Sequence, residues 1–158
     1  MKRGDIRFWI ATGLGSGRVP WAPGTAGSAV ALGLFWVTTR FGANWLPAVV
    51  FVGLVMAGFW SAGSAARRLG KKDPGAIVID EFAGQFLALL ALPHTWPVLA
   101  AGFLLFRLFD ILKPPPARRL EALPGATGIM TDDLVAGLYA NLLMQGAVRL
   151  VPGWWGIA

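Results

Sequence analysis

Cysteine is absent from the 158-residue chain, which removes thiol nucleophiles, zinc–thiolate sites, iron–sulfur clusters and disulfides together. A single histidine, His94, excludes any mechanism that needs two. Charge is scarce: 14% of residues are Asp, Glu, Lys or Arg, against about 25% in an ordinary soluble domain. Acids number eight, and no Asp-x-Asp occurs, which argues against an aspartyl-phosphate enzyme of that type. Apolar residues are abundant, at 56% with a mean hydropathy of +0.61. These values describe a membrane protein rather than a soluble enzyme, and the length suits a single domain, 1–158. The net charge of +6 suits an anionic membrane surface or a phosphorylated lipid. The polar surface and motifs of a nucleic-acid binder are missing. Lys2, Arg3, Asp5 and Arg7 precede a glycine-rich stretch, so the amino terminus does not read as a secretory signal.

Charge-free runs locate the helices. Residues 19–39, 41–66 and 82–106 hold 21, 26 and 25 residues without a charge, and about 20 suffice to cross the hydrocarbon. The first helix is expected to start near Pro23 or Thr25, and the second to cover about 46–65. Pro93 and Pro97 split the third run into segments of about 79–92 and 97–112. An amphipathic run at 132–150 completes the bundle. The fold predicted is all-α, a polytopic membrane bundle of about five or six helices, about four of them membrane-embedded. With alternating spans, 12 basic residues fall on one side and two, Arg40 and Arg149, on the other, so the first side is cytoplasmic. Trp154 and Trp155 belong at the opposite interface.

Four polar motifs interrupt the apolar background, all at cytoplasmic helix ends in this topology. Thr12-Gly-Leu-Gly-Ser-Gly-Arg18, followed by Pro23-Gly24-Thr25-Ala-Gly-Ser28, has the glycines and helix start of a phosphate cradle. Taken alone, the segment is better read as close helix packing by small residues. Asp80-Glu81 follows Ala-Ile-Val-Ile in the motif that runs from Asp73 to Gln85. Adjacent carboxylates at a membrane boundary repel and lose solvation, and a magnesium ion would relieve both costs. Asp132-Asp133 has the same character, although Thr131 placed as a cap would put both acids in a first helical turn, where the dipole favours them. Two such pairs on one face, out of eight acids, point to a metal, with Asp80, Glu81 and at least one of Asp132 and Asp133 converging. Arg107, Asp110 and Lys113 share one helix face; Arg107 can clamp a phosphate and Lys113 can act as a point charge. Asp110 either ligates metal or holds Arg107. His94 falls in a loop on the far side and is read as structural.

The ordered set Pro23-Gly-Thr-Ala-Gly-Ser28, Ile77-Val-Ile-Asp-Glu81, Phe106-Arg-Leu-Phe-Asp-Ile-Leu-Lys-Pro114 and Gly128-Ile-Met-Thr-Asp-Asp133 resembles the phosphatidylglycerophosphatase A family. The resemblance runs from Thr12 to about Gly137, with Thr127-Gly128 where a glycine pair is expected. It implies a magnesium-dependent phosphatase of the bacterial inner membrane, multi-pass and with its active site on the cytoplasmic side. The substrate implied is phosphatidylglycerophosphate, and the products are phosphatidylglycerol and inorganic phosphate. Asp80, Glu81, Asp132 and Asp133 then carry the metal, with Asp110 a further catalytic acid. Arg107, Lys113, Gly24, Thr25 and Ser28 meet the substrate phosphate. The acyl chains are expected to stay in the bilayer. Two other classes fit the same residues: a phosphotransferase on a similar headgroup, and a non-enzymatic ion-coupled membrane protein. The second would carry ionisable groups near the middle of its spans.

Overall fold

The computed structural model describes residues 5–41, 43–71 and 74–157. Lys2, Arg3 and Lys72, which contributed to the orientation, and Asp73, the start of the second motif, lie outside them. Among the described residues there is no strand. Seven α-helices form in order: α1 (Ile6–Ala11), α2 (Pro23–Arg40), α3 (Leu46–Leu69), α4 (Ile79–Leu89), α5 (Trp96–Leu112), α6 (Ala117–Leu120) and α7 (Ala126–Leu150), with 3₁₀ turns at Gly13–Arg18 and Pro152–Trp155. The all-helical expectation holds. One helix among the described residues, α3, is long and apolar enough by itself to cross a membrane.

Proline sets several starts. Pro23, Pro47 and Pro97 each stand in a first turn, where the missing N–H has no intrahelical role. α4 ends sooner than expected, at Leu89 rather than 92. The chain turns at Ala91 (φ 57) ahead of Pro93, which disfavours helix in the residue before it. That end lies against α7, which supplies the partners its last carbonyls lack. Asn141 Nδ2 donates to Leu90 O (2.8 Å) and Ala88 O (3.3 Å), and Gln145 Nε2 donates to Ala91 O (3.1 Å).

α4 is the axis of the bundle. Nine of its 11 residues are buried, against α2, α3, α5 and α7. Phe35 and Phe86 meet edge to face between α2 and α4, with ring centroids 5.3 Å apart. α4 and α7 cross at glycine: a Cβ on Gly137 would collide with the Gly84 carbonyl, so the two backbones touch with nothing between them. This crossing brings the first turn of α4 beside the second turn of α7.

α7 begins six residues before the expected 132. Its entry is Gly125 at φ 66, and Thr131 is not a cap: its hydroxyl donates to Thr127 O, one turn back inside the helix. Thr127 therefore belongs to the first turn of α7 rather than to a loop. Tryptophans stand at both ends. Trp36 stacks on Trp96 under Arg40, and Thr95 Oγ1 donates to Trp155 O, all at the end away from the motifs. At the motif end Arg7 lies over Trp60 and Arg18 over Trp9. His94 is in the α4–α5 loop at the far end, its ring against Phe35.

Candidate functional site

The polar motifs meet at the end of the bundle where α2, α4 and α7 begin and α5 finishes. Asp80 and Glu81 occupy the first turn of α4, and Asp132 and Asp133 the second turn of α7. Asp80, Asp132 and Asp133 are 7%, 4% and 3% exposed, unusual burial for carboxylates. One oxygen each from Asp80, Glu81 and Asp133 lie within 4.8 Å of one another, a group that could hold a metal ion. Glu81 Oε2 and Asp133 Oδ2 are buried with no hydrogen-bond partner. Buried acceptors without donors are costly, so this donor set fits a hard cation, which needs carboxylate oxygens and nothing softer.

Adjacent residues on a helix point about 100° apart, and that separates the two α7 acids. Asp133 turns toward α4. Asp132 is outside the three-oxygen group: its Oδ2 accepts from Lys113 Nζ at 2.7 Å. Asp80 and Glu81 thus converge with one of the two α7 acids, Asp133, and Asp132, the fourth acid expected to carry metal, stands outside the group. Lys113 also departs from expectation. It does not continue the helix face of Arg107 but caps α5 in a left-handed conformation (φ 45), and its ammonium lies between Asp132 and Glu121, 3.0 Å from Glu121 Oε1. Burial works against its charge, but the hydrogen bonds and charges of Asp132 and Glu121 outweigh this and raise Lys113 above the ordinary lysine value.

Arg107 is nearly enclosed. It pairs with Asp110 one turn along α5, and its Nη1 donates to Ser28 Oγ at 3.3 Å. The Ser28 hydroxyl in turn donates to Gly24 O at 2.8 Å. A Cβ on Gly24 would overlap the Glu81 carboxylate and stand 3.1 Å from Arg107 Nη2, so glycine here lets the acid and the guanidinium approach. Arg107 Nε is buried without a partner. An enclosed arginine with an unused donor, beside clustered carboxylates, is suited to bind a phosphate held by a cation.

The structure thus gathers Asp80, Glu81, Asp110, Asp133, Arg107, Gly24 and Ser28, with Asp132 and Lys113 adjoining. Thr25 is exposed on α2. The glycine-rich segment is not an open cradle: Gly15 and Gly17 donate their N–H groups to Thr12 O. Two residues were missed. Glu121, which shares Lys113, has no spacing signal. Gln85 stands one turn beyond Glu81, fully buried with both amide atoms unpartnered. Its i+4 relation to Glu81 was the available clue.

The family model described as phosphatidylglycerophosphatase A matches residues 9–148. A protein of Escherichia coli named phosphatidylglycerophosphatase A is 40% identical over 131 residues, covering 82% of this chain and 76% of its own length. Its namesake in Haemophilus influenzae is 39% identical over 140 residues, covering 85% and 84%. A Bacteroides thetaiotaomicron protein, provisionally named a phosphatidylinositol-3-phosphatase, is 40% identical over 147 residues, covering 87% and 91%. No solved structure matches with significance.

Proposed function

The chain belongs to the phosphatidylglycerophosphatase A family, and on that footing we propose that it hydrolyses phosphatidylglycerophosphate to phosphatidylglycerol and inorganic phosphate with magnesium as cofactor. The observation that carries the reading is the buried group of Asp80, Glu81 and Asp133 oxygens beside the enclosed Arg107. Those three acids would hold the ion, which when bound supplies polarisation of the phosphoryl group and a more acidic water. Arg107 binds a phosphate oxygen through its unused Nε, kept in orientation by Asp110 and Ser28. A carboxylate of the group accepts the proton of the attacking water. Gly24 keeps the space at the first turn of α2, where the helix dipole also favours an anion. Lys113, neutralised on two sides, positions Asp132 and the α6 turn more than it binds phosphate.

The membrane placement belongs to the same proposal: an inner-membrane, multi-pass protein with its site on the cytoplasmic side. Two observations support a membrane setting. Among the described helices α3 has the length and hydropathy of a span, and tryptophans stand at both ends of the bundle. The basic residues crowd the site end. The charged cluster sits at one end rather than mid-span, which speaks against an ion-coupled transporter.

The phosphatidylinositol-3-phosphatase name of one relative raises a second headgroup. Both compounds are lipid phosphomonoesters, so the chemistry is shared. Purified protein in mixed micelles, given either lipid with and without magnesium, separates them. The proposal expects magnesium-dependent phosphate release from phosphatidylglycerophosphate at the higher kcat/KM. Preference for the inositol lipid would reassign the headgroup, and release from neither would end the reading.

A further inference from the structure

An apolar groove of about 440 Å³ runs between α3 and α7, lined also by Leu87 of α4 and Leu120 of α6. Its volume is that of a ligand site, and its lining is aliphatic and aromatic except for Thr131. The Thr131 hydroxyl is already spent on Thr127 O. We infer that this groove holds one acyl chain of the lipid substrate, an inference that rests on the function proposed above.

Position, charge and access support that occupant. Thr131 and Leu134 line the groove and bracket Asp132 and Asp133 in sequence, so the groove opens level with the acid cluster. It then follows α7 to Leu138, away from the site, over about 10 Å at 1.5 Å per residue. That is about two-thirds of one leaflet's hydrocarbon depth of roughly 15 Å. The end nearest the site is cationic: Leu120 follows the exposed Arg118 and Arg119, and its neighbour Glu121 is bridged through Lys113 to Asp132. A wholly apolar slot with a basic, acid-bound rim complements an amphiphile with an anionic head. Val52 and Leu138 on the two walls are 54% and 43% exposed, so the slot is open sideways to lipid and a chain enters without leaving the apolar phase. The expectation that the acyl chains stay in the bilayer is thereby revised for one chain.

The test is a chain-length series of phosphatidylglycerophosphates with one headgroup, assayed for phosphate release with the wild type, Val52→Phe and Leu138→Phe. Both positions are exposed, so the larger ring has room to be accommodated. For the wild type, kcat/KM rises with chain length until the groove is filled. The phenylalanine variants keep the short-chain rate and lose about tenfold on long chains, the equivalent of about two buried methylenes. A second readout needs no turnover: phosphatidylglycerol with a diazirine in one chain labels α3 and α7 in the wild type and much less in the variants. An unchanged chain-length slope in both variants, or a uniform loss at every length with labelling intact, overturns the groove. Absence of phosphate release by the wild type at all lengths would instead refute the phosphatase reading, while the labelling would still report on the groove.

Discussion

Replacing Arg107 with alanine removes two things at once. It deletes the donor assigned to the substrate phosphate, and it strands Asp110, whose carboxylate is mostly buried against it. The first loss is a transition-state effect: a preorganised donor in a dry site is worth roughly 3 kcal/mol, or 10²–10³ in kcat. The second is a stability effect, because removing one partner of a buried ion pair leaves an uncompensated charge at a cost of about 3–5 kcal/mol. The double variant Arg107→Ala/Asp110→Asn separates them, since it neutralises the stranded carboxylate while leaving the donor absent. The account expects Arg107→Ala to lose roughly 100-fold or more in kcat and to melt lower. The double variant should recover most of the melting temperature and little of the turnover. Phosphate release in mixed micelles, alongside thermal melting in the same detergent, reads both. Arg40→Ala, at the far end over Trp36, serves as control and should change activity little. Near wild-type turnover in the double variant would refute the reasoning, because Arg107 would then only balance Asp110.

Other outcomes follow from the same geometry. Asp80→Asn should lower turnover at least about 100-fold yet fold normally, because the amide oxygen can still accept the Glu81 N–H; wild-type turnover would remove Asp80 from the mechanism. Lys113→Met should destabilise the protein by about 3 kcal/mol through the stranded Asp132. The folded-state value of Lys113 lies above its unfolded value of about 10.4, so its contribution is full below that pH and is lost as pH rises through the folded value. The melting-temperature gap between wild type and Lys113→Met should therefore be steady from neutral pH to about pH 10 and close above it; a gap that widens above about pH 10 would contradict the pairing. Asn141→Leu leaves the Ala88 carbonyl unpaired and Leu90 O with only the long 3.5 Å bond from Gln145 Nε2, and should cost about 1–3 kcal/mol in melting, with kcat near normal at low temperature.

Much of the helical layout is legible because charge and proline mark it. The starts of α2 and α3 fall at Pro23 and Leu46, where charge-free runs and first-turn prolines place them. α1 is not legible, since its short sequence is held by tertiary partners: Arg68 lies over Phe8 and pairs with Asp5, and Arg7 lies over Trp60. The start of α7 was misplaced because Thr131 has the residue type of a cap, whereas Gly125 makes the turn. At the site, the meeting of the α4 and α7 acids could be foreseen from their rarity. Their division could not. Whether Asp132 or Asp133 faces Asp80 depends on helix rotation at the Gly84–Gly137 crossing, which adjacent letters in a sequence do not reveal.

The central claim is that the buried acids work through a bound divalent cation. The direct measurement is phosphate release from phosphatidylglycerophosphate by chelator-stripped protein as magnesium is returned, run in parallel on Glu81→Gln. The account predicts no release from the stripped wild type, recovery with magnesium, and a recovery in Glu81→Gln that is abolished or shifted to much higher magnesium. Full turnover in excess chelator, or identical magnesium dependence in the two proteins, would contradict it.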